Sequence, residues 1–294
     1  MHGTHARARA YTQGEIVTRR MIACLAMAAV QQPRTFLVTG STDGIGKFTA
    51  SKLAQAGHAV IIHGRNPKKV AAVAKEIGAA DAFVADLSLM SEVRRLGTEV
   101  AAKYPKLDGL LNNCGTFDGD YTGKRVVTSE GNEYSLAVNV LAPFLLTSLL
   151  LASVRASGAG RILITSSISK GAADALDDLQ CEKRWDMHRA YSLSKLADAM
   201  LVFELHDRYG DAPRLVFNTM DPGTVNTKML AAGWGMCGIP VSQATTSFKM
   251  LTDERWGAVS GEANGCGVAP QMRDPAARRA LWERCVELTG AVYS

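Results

Sequence analysis

The sequence predicts an α/β fold, a single doubly wound domain whose parallel central sheet is flanked by helices, and three observations carry that expectation. Short β-branched or apolar runs alternate with longer segments of helical period from residue 33 onward. A glycine-rich turn, "TGSTDGIG" at 39–46, joins the first such run to the first helical segment. No loop-like tract, internal repeat or low-complexity stretch divides the rest of the chain, so 33–294 reads as one domain.

Taken in order, the strands fall at 35–39, 59–63, 82–85, 109–112, 161–165 and 215–219, each a run of Val, Ile, Leu, Phe or Ala bounded by polar or turn residues. Helical stretches begin near Ile45, Pro67, Ser91, Gly131 and Tyr191. Where a further strand would complete such a sheet the chain offers "SGEANGCGVAPQ" at 260–271. Its glycines and Asn264 argue against a regular strand, and an irregular edge is expected.

Residues 1–32 are read separately, as an N-terminal extension that is disordered or serves targeting. They contain several arginines and one acidic residue and end in an apolar run at 21–30, far short of the ~20 residues needed to cross a bilayer. An unstructured extension, or an over-long start with Met21 or Met27 as initiator, is preferred; a transit peptide or secretory signal stays open.

Composition narrows the function classes. The chain has 294 residues, of which 47% are hydrophobic, and a formal charge of +5 whose basic residues are scattered beyond the first few dozen positions. Neither a nucleic-acid groove nor a polybasic membrane patch stands out, whereas an anionic small ligand fits. The six cysteines are widely spaced, without a CxxC pair, as expected of reduced thiols in an intracellular, cytoplasmic protein. The six histidines lack metal-site spacing, and no bound metal is expected.

The glycine turn is the first candidate site. Gly40 permits a tight turn after a strand, Gly44 lets a pyrophosphate approach the backbone, and Gly46 lets the following helix pack close, while Ser41, Thr42, Asp43 and Ile45 complete the loop. Free amides at that helix N-terminus would face phosphate. The next strand ends without the acidic residue that would accept an NAD ribose hydroxyl; Arg65 and Asn66 stand there, with Lys68 and Lys69 behind. An arginine in that place pairs with a 2′-phosphate, so NADP is favoured over NAD.

"YSLSK" at 191–195 supplies the chemistry. Tyr191 and Lys195 lie four apart, on one face of a helix. An ammonium beside the phenol stabilises its phenolate and makes tyrosine a usable acid/base while hydride passes to or from a nicotinamide.

With "NNCG" at 112–115, "ILITSS" at 162–167 and "DPGTVNT" at 221–227, in this order and at this approximate spacing, the chain resembles the short-chain dehydrogenase/reductase family, whose Rossmann domain would cover everything after Pro33. The resemblance implies Ser167 as the residue that hydrogen-bonds the substrate oxygen, with Ser166 the adjacent contender, Tyr191 as general acid/base and Lys195 as the group that contacts the nicotinamide ribose. It implies Asn139 as the holder of a proton-relay water with that lysine. On the cofactor side it implies Asp86, with Leu87, at the adenine; Asn113, Cys114 and Gly115 along the adenosine ribose and central sheet; and Pro222, Gly223, Val225 and Thr227 around the carboxamide. Read locally, Asp86 is equally a helix N-cap and Asn139 part of a helix kinked before Pro143.

Two departures matter. Cys114 replaces the family's usual alanine, and the interval between Ser167 and Tyr191 is longer than common. The long interval and the helix after it resemble the retinol dehydrogenase and WW-domain oxidoreductase branch, without WW modules. Met229, Leu230, Trp234, Met236 and Ile239, with Trp185 from the long interval, could line a lid over a hydrophobic carbonyl, alcohol or enone. A dinucleotide-binding sensor on the same fold is the alternative function, and a membrane-surface protein held by residues 1–32 a third; a homo-oligomer is allowed, and membrane association lacks support.

Overall fold

A computed structural model describes residues 32–117 and 122–294. Seven parallel strands form one sheet in the order β3-β2-β1-β4-β5-β6-β7: β1 (Thr35–Val38), β2 (Ala59–Gly64), β3 (Asp81–Val84), β4 (Gly109–Asn112), β5 (Gly160–Thr165), β6 (Leu215–Met220) and β7 (Glu262–Asn264). β1 pairs with β2 on one side and β4 on the other, so the strand order reverses there and a crevice opens beyond the carboxyl ends of the strands.

Both faces of the sheet are covered, which is why its strands read as near-continuous apolar runs. Alternate side chains go to opposite faces. Phe36, Val38, Val60, Ile62, Leu111 and Leu163 join one core, under α1 (Gly44–Gln55) and α2 (Pro67–Ile77); Leu37, Ile61, Leu110, Ile162 and Ile164 join the other. The second core is roofed by α3 (Met90–Lys103), α4 (Ala142–Arg155) and α5 (Met187–Tyr209). The chain then adds α6 (Lys228–Trp234), α7 (Thr246–Thr252), α8 (Glu254–Gly257), α9 (Pro270–Arg273) and α10 (Pro275–Thr289). All of this lies within Arg34–Ser294, one compact unit, whereas the expected N-terminal extension falls, but for Gln32, outside the described residues.

Local signals set most boundaries. Asn66 caps α2 by accepting from Lys69 N at 3.0 Å, Pro67 opens it, and left-handed Gly78 ends it. Asp186 caps α5, which therefore starts one turn before Tyr191. α3 has no cap of its own: Glu130, far along the chain, accepts from Met90 N and Ser91 N. The N-cap reading of Asp86 is thus replaced, because its carboxylate closes a turn onto Ser88 N at 3.0 Å.

Two expectations shift. The helix expected from Gly131 starts only at Tyr134, because Val127 and Glu133 pair in an antiparallel bridge around a turn at 128–132, and it passes at once into a π-helical stretch, Leu136–Leu141. Pro143 has no N–H to continue the ordinary ladder, and Ala142 N reaches five residues back to Ala137 O. The edge expected to be irregular contains β7, three residues long. Asn218 brackets it from β6, donating to Val259 O and accepting from Glu262 N.

Candidate active site

The crevice holds a cavity of about 620 Å³. The glycine turn forms one wall. Gly40 takes φ +62° beyond the carboxyl end of β1, and a Cβ there would lie 2.8 Å from Cys114 Cα. A Cβ on Gly46 would lie 2.2 Å from Gly40 O and 2.5 Å from Asn113 Nδ2, so only glycine lets α1 approach the strand this closely. Asn113 fastens the turn by donating to Thr39 O at 3.1 Å and Gly40 O at 3.4 Å. Asp43 caps α1 and pairs with Lys228 Nζ at 2.6 Å across the mouth, both side chains exposed.

The opposite wall comes from the ends of β5 and β6 and from α5. Ser167, Tyr191, Lys195, Pro222, Gly223, Val225 and Thr227 all line the same cavity as Gly40, Asp43, Gly44, Ile45, Gly46, Asn113, Cys114 and Gly115. Thr227 caps α6, which turns Met229, Leu230 and Trp234 over the opening.

The two serines differ. Ser166 is buried, and its Oγ donates to Lys195 O at 2.8 Å, a structural tie to α5. Ser167 faces the Tyr191 phenol as a hydrogen-bonding neighbour. The Asn139 side chain ties the chain after β4 to α5: its Oδ1 accepts from Thr116 N at 2.8 Å, and its Nδ2 donates to Thr116 O and to Ser194 Oγ. Among the described residues no hydrogen bond joins it to Lys195.

Of the expected cofactor residues, Asn113, Cys114 and Gly115 line this cavity, whereas Ser41, Thr42, Arg65, Asn66, Asp86 and Leu87 do not. Ser41 is buried and ties Val38 O to β2, Thr42 packs beside Gly64, Leu87 is in the core, and Arg65 donates to Tyr134 Oη at 2.8 Å. Asn66 and Asp86 have the capping and turn roles given above. Trp185 is not part of the lid: it packs against the core and donates Nε1 to Glu133 Oε1 at 3.3 Å. Of the other lid candidates, Met236 lines a neighbouring hollow and Ile239 pairs with Val225 in a short bridge.

A glycine cradle, a helix N-terminus and a polar cluster on one cavity fit a nicotinamide dinucleotide. Residues 34–235 match the short chain dehydrogenase family. The chain belongs to that family. Similar proteins include the polyprenol dehydrogenase of Mus musculus, 32% identical with 89% of this chain and 85% of that protein covered, and retinol dehydrogenase 14 of Homo sapiens, 29% identical with 85% and 84% covered. Among solved structures, a Shigella flexneri 2a short chain dehydrogenase complexed with NADP superposes with a TM-score of 0.65 at 28% identity, over 79% of this chain and 96% of that one. This short chain dehydrogenase is accordingly an oxidoreductase of the retinol dehydrogenase-like branch that uses a nicotinamide cofactor.

Electrostatics in the dehydrogenase's site follow burial first. Desolvation pushes the Tyr191 phenol above its ordinary value, against the pull of the Lys195 ammonium and the Ser167 hydroxyl. Burial pushes the Cys114 thiol up to about 11, so it lines the cavity as a neutral group. Burial pulls Lys195 down, but the Asp198 carboxylate and then Tyr191 outweigh it and leave the ammonium secure.

Several residues of this short chain dehydrogenase were not singled out from its sequence. His63, fully buried, accepts from Gly40 N through Nδ1 at 3.2 Å and bonds Ala85 O through Nε2 at 3.1 Å. It links the glycine turn to β3, and the polar residue at the end of "AVIIH" was its only signal. Phe117, itself buried, meets Tyr191, His188 and Trp234 with ring centroids 5.3, 5.1 and 4.9 Å away, and so backs Tyr191 and Trp234, the two of these rings that line the cavity, to form an aromatic wall.

Proposed function

We propose that this dehydrogenase exchanges hydride between NADP and a hydrophobic carbonyl or alcohol, with Tyr191 as acid/base, Ser167 as the hydrogen-bond donor to the substrate oxygen and Lys195 as the charge beside the phenol. The observation that carries this reading is the convergence of those three side chains with the glycine turn on one cavity. The bound dinucleotide supplies or accepts the hydride. In the reduction direction Ser167 hydrogen-bonds the carbonyl oxygen, and Tyr191 passes its proton to that oxygen as charge develops there. The Lys195 ammonium stabilises the phenolate left behind. Asn139 contributes by holding the chain after β4 against α5, through Thr116 and Ser194.

The preference for NADP rests on Arg65 at the end of β2, where no acidic residue follows. A guanidinium has five N–H donors, so it can hold Tyr134 and still meet a phosphate. The hydrophobic substrate rests on the aromatic wall and the Met229, Leu230 and Trp234 cover; the relatives named for retinol and polyprenol agree with it. The test follows NADPH absorbance against hydrophobic aldehydes, ketones and enones. Tyr191→Phe should lose turnover while keeping cofactor affinity, and undiminished turnover in that variant would sink the mechanism. Arg65→Ala should weaken NADPH by about tenfold or more while sparing NADH. Equal losses would remove Arg65 from cofactor selection.

A further inference from the structure

Lys195 Nζ is held by two acceptors, Thr165 O at 2.9 Å and Asp198 Oδ2 at 2.9 Å. Asp198 lies three residues on along α5, on the same helix face, and is 1% exposed. Its second oxygen, Oδ1, is buried without a hydrogen-bond partner. A carboxylate kept in the core with one oxygen unsatisfied is costly. A neutral amide could also accept from Nζ, so what Asp198 adds over an asparagine is its negative charge and the stronger bond that charge makes.

We propose that Asp198 is a positioning residue for the reaction: its carboxylate fixes Lys195 Nζ against Thr165 and offsets part of the ammonium charge that acts on Tyr191. The inference rests on the reading of Tyr191 as acid/base. Two of the three ammonium donors are taken by Thr165 O and Asp198 Oδ2, which leaves one for a further acceptor. An uncompensated buried ammonium would draw the phenol towards phenolate; the Lys195–Asp198 pair draws it less.

Other groups face this pair. Asp221 after β6 acts on Tyr191, and Lys170 after β5 bonds Ser167 O and Cys266 O. Three thiols complete the surroundings: Cys114 after β4, Cys266 after β7 and Cys285 on α10, all pushed up by burial and therefore neutral. Asp198 is the sole carboxylate hydrogen-bonded to Lys195 among the described residues.

The test is the pH dependence of kcat/KM for carbonyl reduction at saturating NADPH, in the native enzyme, Asp198→Asn and Tyr191→Phe. Activity falls at high pH as Tyr191 loses the proton it must donate. Removing the Asp198 charge favours the phenolate, so in Asp198→Asn that fall should move to lower pH by about one unit. An unmoved limb with kcat lowered equally at every pH would make Asp198 merely structural and overturn the proposal. If Asp198→Asn does not fold, Asp198→Ser removes the same charge with a smaller group. If neither folds, Asp198→Glu, which displaces the carboxylate by one methylene, decides: a limb that moves supports the proposal, and an unmoved limb with kcat lowered equally at every pH overturns it. Turnover retained by Tyr191→Phe would instead remove the parent reading, a result distinct from all of these.

Discussion

Gly46→Ala sets two effects of opposite sign against each other. Gly46 lies in the first turn of α1, where alanine is intrinsically better than glycine by about 1 kcal/mol. Yet the added methyl would sit 2.2 Å from Gly40 O and 2.5 Å from Asn113 Nδ2. The Gly40 oxygen belongs to the backbone of a left-handed turn and cannot rotate aside as a side chain would. Either the turn or the helix end must retreat by roughly an ångström, which strains both Asn113 hydrogen bonds. Overpacking of this kind costs about 1–3 kcal/mol and outweighs the propensity gain. The net loss of up to about 2 kcal/mol should lower the melting temperature by up to about 8 °C. NADPH affinity, read by fluorescence titration, should fall about tenfold or more, because the displaced helix end no longer aims its amides at the phosphates. Gly171→Ala is the control, since its methyl would meet only Ser192, with Oγ at 3.6 Å. A Gly46→Ala protein as stable as the native one, with native NADPH affinity, would refute the reasoning.

The serine pair and the buried imidazole give further predictions. Ser167→Ala should lower kcat by about a hundredfold with little change in melting temperature, whereas Ser166→Ala should lose about 1 kcal/mol of stability with its tie to Lys195 O. The reverse pattern would exchange their roles. Burial lowers His63 from 6.5 to about 4, so the folded protein keeps it neutral while the unfolded chain takes up a proton below 6.5. Its contribution is complete above that pH and is lost as pH falls towards 4, by up to about 3 kcal/mol. Urea unfolding at pH 7 and pH 4.5 should show this loss in the native protein and much less of it in His63→Gln; equal losses in both would show that His63 is not the group responsible.

Strands and glycine turn were legible because their information is local. An apolar run such as Phe36 to Val38 reads the same in any sheet buried on both faces, and Gly40, Gly44 and Gly46 carry their geometry in their spacing. The misread parts depend on distant partners. β7 forms because Asn218 brackets it, which the glycines of 260–271 give no means of foreseeing. Trp185 faces Glu133 rather than the lid, and Glu130 caps a helix forty residues earlier. The same limit holds in the site. Tyr191 and Lys195 declare themselves by an interval of four, while Asp198, three further on, looks like any helix-surface acid until burial and the 2.9 Å bond to Lys195 are known.

The aromatic wall also gives the molecule an optical handle. Trp256 and Trp282 are buried and Trp185 is packed against the core, whereas Trp234 stands 43% exposed over the cavity, its ring 5.8 Å from that of Tyr191. A reduced nicotinamide absorbs where indole emits, so one bound beneath Trp234 should quench it by resonance energy transfer, and a substrate wedged against Tyr191 should shift its emission by displacing water. Intrinsic fluorescence, with Trp234→Phe as the blank, can therefore follow the filling of each half of the cavity in real time, without a label and without turnover.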